Sequence, residues 1–179
     1  MSLFTLVSFA QGYVINGQIK ESKNGLATLR TYFRDGNEQL DSARIEEDGK
    51  FYFRGQIKDP IPALLTINGK RTYRLYLSPG DNVELILVPN NEKKTKIKGT
   101  KLTTEWYSIV APQKKEDYDV HLSRLENWVI NNPSHIFSPD IIASYLAYKW
   151  NYSELTRTLN TLKEEALNTY HYKHLRERE

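Results

Sequence analysis

Apolar and polar residues alternate along the chain from Gly12 to Gly99, so that every second side chain of each short segment has the same character. An alternation of this period is typical of half-buried β-strands. Turn pairs separate the segments, at Asn24-Gly25, Asp35-Gly36, Asp48-Gly49, Asn68-Gly69 and Pro79-Gly80. Because glycine accepts the positive φ of tight turns, these pairs predict chain reversals. Seven or eight short strands with no helix among them predict an antiparallel β-sandwich or open barrel.

The pattern changes beyond Lys101, where apolar residues recur every three or four positions, as in a helix. This spacing predicts three to five short helices. One has Leu122, Leu125, Trp128 and Val129 on a single face and ends before Pro133. Ser153 is the expected N-cap of another, and a last helix begins near 168–169. The sequence therefore predicts an antiparallel β domain over 12–100, followed by a helical appendage over 101–179.

The first eleven residues contain a short apolar run, from Leu3 to Phe9. Ser8 and Ala10 have the small-x-small spacing of a signal-peptidase site, although no basic residue precedes the run. We interpret residues 1–11 as a signal-peptide remnant or an expression-vector start; the alternative is an ordinary first strand. No apolar run approaches the roughly 20 residues that span a bilayer, so no membrane span is predicted.

The composition excludes several kinds of chemistry. The chain has no cysteine, which excludes disulfides, thiolate catalysis and cysteine metal clusters within it. The formal net charge is only +3. Lys94, Lys96 and Lys98 alternate on one strand face without interleaved aromatic residues, which indicates protection of an edge strand more than a nucleic-acid platform. We therefore predict no nucleic-acid partner.

Three consecutive acids, Glu46, Glu47 and Asp48, precede the turn at Gly49 and are a candidate cation site. A calcium loop needs oxygen ligands at staggered positions over about a dozen residues. Here Lys50 follows directly, and a lysine beside the site opposes cation binding. A hairpin turn with solvated acids is the favoured interpretation.

Histidines offer little support for a catalytic or metal site. His171 and His174 lie three positions apart and could share a metal, but no suitable third ligand is suggested, so solvated histidines are favoured. His121 and His135 are isolated in sequence. We predict no catalytic residue, no metal site and no cofactor.

Tyr32, Tyr52 and Tyr76 fall on outward positions of the predicted strands. These aromatic side chains could form a sugar-binding or peptide-binding surface. They could equally be the surface on which the helical appendage packs, which is the favoured alternative. The three tryptophans, at 106, 128 and 150, are expected in the helix core.

Several stretches resemble a known family: GYVINGQIK at 12–20, LDSARIEEDGKFYFRGQIKDP at 40–60 and YLSPGDNVEL at 76–85. They resemble an uncharacterised β-rich domain of Gram-negative cell-envelope proteins. That domain usually precedes a thioredoxin-like domain of the thiol–disulfide oxidoreductase and alkyl-hydroperoxide-reductase type. The stretches at 127–150 and 167–177 look like the helical connector between the two domains.

The resemblance implies a non-catalytic accessory domain in the periplasm or cell envelope. In that family the redox centre is a Cys-x-x-Cys in the thioredoxin-like domain, so no catalytic residue is carried over to this chain. The implied partner is a protein, either the thioredoxin-like domain of a longer chain, another protein or a second copy in a homodimer. The alternative function is a stand-alone periplasmic β-sandwich that binds glycans or peptides.

Overall fold

A computed structural model of the protein describes residues 12–20, 24–89, 91 and 94–178, so the predicted leader at 1–11 lies outside the described residues. The described residues form eight β-strands followed by five α-helices. The strands are β1 (Gly12–Ile19), β2 (Gly25–Tyr32), β3 (Glu38–Ile45), β4 (Lys50–Gln56), β5 (Ile61–Ile67), β6 (Arg71–Leu77), β7 (Asn82–Leu87) and β8 (Lys96–Lys98). The helices are α1 (Lys101–Val110), α2 (Tyr118–Asn131), α3 (Ser138–Ile141), α4 (Tyr152–Leu159) and α5 (Tyr170–Arg176). A π-helical turn (Ile142–Leu146) continues α3, and a 3₁₀ turn (Glu164–Asn168) precedes α5.

The strands form two four-stranded sheets. In sheet A the order is β4-β1-β7-β8, and in sheet B it is β3-β2-β5-β6. This arrangement confirms the predicted class, a sandwich-like β fold followed by short helices. One pairing was not expected: β1 runs parallel to β7, with Val14 opposite Asn82, whereas its pairing with β4 is antiparallel.

Glycine and aromatic residues face each other across β1 and β4 on the buried side of sheet A. Gly17 lies opposite Phe51, and Gly55 lies opposite Tyr13. A Cβ atom added to Gly17 would lie 2.0 Å from Cζ of Phe51, and one added to Gly55 would lie 2.6 Å from the ring of Tyr13. Each ring therefore occupies the space that a side chain on the opposite strand would need.

The stretch from Leu40 to Pro60 forms a connection between the sheets, and the predicted hairpin is wrong in this respect. Its first arm, β3, belongs to sheet B and its second arm, β4, to sheet A. The predicted turn at Asp48-Gly49 is present, with a φ of 81° at Gly49. The predicted faces are also correct, because Phe51 is buried whereas Tyr52 is exposed.

Polar side chains cap α2, α4 and α5, in the case of α4 at a different residue from the predicted one. The N-cap of α4 is Asn151 and not Ser153. Asn151 has extended backbone angles, its side-chain oxygen accepts from the backbone N–H of Glu154 at 2.9 Å, and the Glu154 carboxylate accepts from the backbone N–H of Asn151 at 3.0 Å. This reciprocal pair is a capping box. Thr169 caps α5, close to the predicted start.

The described chain divides into two compact units. One contains the described residues up to 31 together with 40–104, and its core lies between the two sheets. The other contains 32–39 and 105–178, and its core includes Trp106, whose ring lies 5.4 Å from that of Phe137. Of the predicted apolar face of α2, Leu122, Leu125 and Val129 are buried here, whereas Trp128 is only half-buried, as is Trp150. Within the described residues no helix is long and apolar enough to cross a bilayer.

Candidate binding face

The side of sheet A that faces away from the core is open. Period-two alternation directs every second side chain of its four strands to this side. We call these side chains the outer face of sheet A: Val14, Asn16, Gln18, Lys50, Tyr52, Arg54, Gln56, Asn82, Glu84, Ile86, Lys96 and Lys98. Except for the half-buried Val14 and Gln18, all of them are exposed.

The strand register arranges these side chains in rows across the sheet. One row consists of Tyr52, Asn16, Glu84 and Lys98, one residue from each of the four strands. Because directly opposite residues have Cβ atoms about 4.5–5.5 Å apart, neighbours within a row can contact one ligand together. The arrangement offers an aromatic ring, an amide, a carboxylate and an ammonium group on one surface.

Amide side chains lie at the centre of the face, on β1 and β7. Asn16 Nδ2 donates to Asn82 Oδ1 at 3.2 Å. Lys20, just beyond β1, donates to Gln18 Oε1 at 2.9 Å. Amides both donate and accept hydrogen bonds, so this centre can bind backbone or hydroxyl groups of a ligand.

The three candidate tyrosines do not share one exposed surface. Tyr52 is 49% exposed on β4 of sheet A. Tyr76, on β6 of sheet B, is only 2% exposed, so it is not part of an open binding surface and is covered, as in the favoured alternative. Its backbone N–H donates to Thr103 Oγ1 at 2.7 Å and its carbonyl accepts from Thr100 Oγ1 at 2.6 Å, which places the start of α1 against it.

Tyr32, the last residue of β2, packs against α5. Its ring centroid lies 4.8 Å from that of Tyr170 and 6.0 Å from that of His171. Nearby, the Tyr170 hydroxyl donates to the carboxylate of Glu38. Burial, followed by this hydrogen bond, raises the pKa of Tyr170 to about 12. For Tyr32 the favoured alternative, packing with a helix, is what the structure has.

The acids before Gly49 belong to a turn. Asp48 Oδ1 accepts from the backbone N–H of Lys50 at 3.1 Å, and its Oδ2 pairs with Lys50 Nζ at 2.5 Å. The hydrogen bond from Lys50 lowers the pKa of Asp48. Glu46, Glu47 and Asp48 are all exposed. The favoured interpretation, a turn with solvated acids, agrees with these contacts.

Lys96 and Lys98 are exposed on β8, which is the edge strand of sheet A. The predicted placement of lysines on an edge strand is therefore confirmed for these two residues. Lys94 precedes the strand and is also exposed.

His171 and His174 lie next to different carboxylates. His171 Nε2 is 3.6 Å from Asp140 Oδ1, whereas His174 Nδ1 is 3.8 Å from Glu177 Oε2. Asp140 is completely buried and also accepts from Ser144 Oγ at 2.8 Å. Among the residues that the structure describes, no group of three or more His, Cys, Asp or Glu is arranged to hold a metal ion.

A charged cluster that the sequence did not reveal lies between α1 and α2. Arg124 Nε donates to Glu116 Oε1 at 2.8 Å, and its two Nη atoms donate to the carbonyls of Ile109 and Ala111. His121 Nδ1 is 3.1 Å from Glu116 Oε2. The hydrogen bonds from Arg124 and from the backbone of Gln113 lower the pKa of Glu116 to about 2. The cluster fixes the end of α1, since Arg124 satisfies carbonyls that the helix leaves without partners.

An open groove of about 650 Å³ lies among the helices. Its lining includes Ile130, Trp150, Arg157 and Lys163. Arg157 is in the last turn of α4, where a cation suits the helix dipole without any ligand. The groove therefore offers a weaker case for a binding site than the outer face of sheet A.

Comparison with known proteins gives one match. A family model described as Domain of unknown function (DUF4369) matches residues 13–106, just over half of the chain. The match extends from β1 into α1 and so covers the sandwich with its candidate face. No curated protein and no solved structure matches the chain.

Proposed function

The chain belongs to the DUF4369 family, whose shared domain has no known function, and on that premise we propose that it is a non-catalytic accessory domain that recognises a protein partner. The proposed recognition surface is the outer face of sheet A. The observation that carries the proposal is that this face is open while the opposite face of the same sheet forms the core.

The make-up of the face supports binding. Tyr52 and Ile86 are large apolar side chains exposed at 49% and 38%. Tyrosine is enriched at protein interfaces, where its ring buries apolar area and its hydroxyl still forms hydrogen bonds. A rigid sheet also holds these groups in place, so little conformational entropy is lost on binding.

We further propose that the partner is a thioredoxin-like thiol–disulfide oxidoreductase domain in the periplasm or cell envelope. The support is the resemblance of 12–20, 40–60 and 76–85 to domains that precede such oxidoreductases. The absence of cysteine supports a non-catalytic role for this chain beside a catalytic partner, since thiol–disulfide exchange needs a thiolate that this chain does not contain.

A reductase assay tests the non-catalytic part of the proposal. The chain is mixed with insulin and dithiothreitol, and precipitation of reduced insulin is followed by light scattering. We expect insulin to precipitate at the same rate with the chain as without it. A clear acceleration by the purified chain would contradict a non-catalytic role.

A titration tests partner recognition. The ¹⁵N-labelled chain is titrated with a cell-envelope thioredoxin-like domain, with amide shifts expected at Asn16, Tyr52 and Glu84. Tyr52→Ala should weaken binding, whereas Tyr152→Ala, which removes an exposed tyrosine from α4, should not. No binding, or equal loss in both variants, would refute the proposed face.

The second candidate function is that of a stand-alone periplasmic receptor for glycans or peptides. It is favoured by one observation, the position of Tyr52 directly opposite Asn16 in the strand register. A glycan and peptide array distinguishes the two functions. Reproducible array binding that Tyr52→Ala removes, together with no binding of the thioredoxin-like domain, would favour this receptor.

A further inference from the structure

The cations that are available on the outer face of sheet A lie at its two edges. Arg54 is on β4 at one edge, and Lys96 and Lys98 are on β8 at the other. Within the described part of the chain, none of these three side chains forms an ion pair. Lys50 differs, because Asp48 already neutralises it at 2.5 Å.

The centre of the face, on β1 and β7, has neutral and acidic side chains in place of cations. Glu84 lies on β7, directly opposite Lys98 in the register. Asn16 on β1 and Asn82 on β7 are neutral and bonded to each other. From β4 to β8 the charge therefore runs positive, neutral, negative and positive.

The spacing of these charges matches an extended peptide. Three interstrand distances separate β4 from β8, which amounts to about 14 Å. In an extended chain, residues four positions apart are separated by about 13 Å, and residues two apart by about 7 Å on the same side. A strand lying across the sheet thus places alternate side chains near β8, β7 and β4.

We propose that the outer face of sheet A binds an extended acidic segment in which two carboxylates, four positions apart, flank a cationic residue. The outer carboxylates pair with Arg54 and with Lys96 or Lys98, and the central cation pairs with Glu84. This inference rests on the proposed function and specifies the chemistry of the partner. It also gives Glu84 a role in selection, because a uniformly acidic segment meets repulsion at the centre.

The distribution of these charges disfavours nucleic acids and membrane surfaces as partners. Nucleic-acid binders align their cations in a continuous stripe along the phosphates, whereas here neutral strands and Glu84 interrupt the cations. Interfacial membrane binding needs a broad apolar face beside the basic residues. Tyr52 and Ile86 are on non-adjacent strands and in different rows of the register.

The test uses the whole ¹⁵N-labelled chain and three end-blocked pentapeptides. The first is glutamate-serine-lysine-serine-glutamate, the second has glutamate in place of lysine, and the third reverses every charge. At an ionic strength of about 0.01 M, where the screening length is about 30 Å, we expect the first peptide to bind most tightly and the third not to bind. Amide shifts are expected at Asn16, Glu84 and Lys98.

Substitutions identify which charged side chains of the protein contact the peptide. Arg54→Gln should weaken binding of the first peptide about two- to five-fold, in line with exposed ion pairs. Lys70→Gln, an equal loss of charge in the β5–β6 turn, should leave it unchanged. In the Glu84→Gln variant, the second peptide should bind as tightly as the first, because the carboxylate that repels its central glutamate is gone.

The outcomes separate this inference from the proposed function. Equal binding of all three peptides, or equal weakening by Arg54→Gln and Lys70→Gln, would refute the charge pattern. If the thioredoxin-like domain still binds through Tyr52 in that case, only the charge inference fails. If neither the domain nor the peptides shift the outer face of sheet A, the proposed function fails as well.

Discussion

Replacing Gly17 with alanine should destabilise the sandwich through a single steric conflict. The new Cβ would lie 2.0 Å from Cζ of Phe51 and 2.4 Å from Cε1 and Cε2. Carbon atoms pack best at about 3.5–4.0 Å, so the ring or the strand has to retreat by about 1.5 Å. Gly17 does not have a positive φ, so the expected cost is steric and owes nothing to backbone strain.

The magnitude follows from two opposing effects. Forcing an extra methyl group into a packed core costs about 1–3 kcal/mol of unfolding free energy. Alanine also restricts the unfolded chain more than glycine does, which stabilises the fold by about 0.4–1 kcal/mol. We expect a net loss of about 1–2 kcal/mol, and a smaller loss for Gly55→Ala, whose Cβ would lie 2.6 Å from the Tyr13 ring.

Urea denaturation followed by circular dichroism measures the effect. With a slope of about 2 kcal/mol per molar urea, the midpoint of Gly17→Ala should fall by roughly 0.5–1 M. The double variant Gly17→Ala with Phe51→Leu should be more stable than the sum of the two single changes predicts, by at least about 0.5 kcal/mol. An unchanged midpoint for Gly17→Ala, or strict additivity in the double variant, would refute the steric argument.

Three further predictions concern the N-cap of α4 and two groups with shifted pKa values. Asn151→Ala should lower the unfolding free energy by about 1 kcal/mol and Ser153→Ala by less than about 0.5, measured by urea denaturation; equal effects would contradict the assigned cap. Because Arg124 holds the pKa of Glu116 at about 2, below its ordinary 4.5, the Glu116 carboxylate stabilises the fold above pH 4.5 and loses this effect as the pH falls toward 2. The Tm advantage over Glu116→Gln should therefore shrink across that range, and a constant difference would argue against the ion pair. Burial, and then the charge of Asp41, raises the pKa of Tyr13 from 10 to about 12, so the fold loses stability as the pH rises from 10 to 12. Tyr13→Phe should reduce that loss in an alkaline unfolding series, and an unchanged loss would contradict the raised pKa.

The alternation of residues predicted which side of each strand is buried but not which strands are neighbours. Phe51 and Tyr52 fall on the predicted sides, since a period of two determines the face directly. The turn at Asp48-Gly49 was also predictable, because the glycine has the positive φ such a turn needs. The same turn can close a hairpin or connect two sheets, and local residues do not distinguish these cases.

The candidate face could be predicted only in part. Tyr52 was identified from its outward position on β4, but its neighbours Asn16 and Glu84 depend on the pairing of β1 with β4 and β7. Tyr76 has an outward position by alternation, yet the start of α1 covers it, and periodicity within a strand does not show what packs on that strand. The side chains of the cluster around Glu116 are only five to eight positions apart, but it was missed because their contacts depend on the conformation of the loop that holds Glu116 against α2.

The parallel pairing of β1 with β7 has a consequence for the order in which the chain folds. Asn16 and Asn82, which bond across it, are 66 positions apart in the chain. During synthesis, most of the sandwich is therefore made before β7 becomes available to pair with β1. Contacts between distant parts of a chain slow folding, because the loop entropy is lost before the contact is gained. Until β7 is made, one backbone edge of β1 is unpaired, and unpaired strand edges make a folding intermediate prone to aggregation.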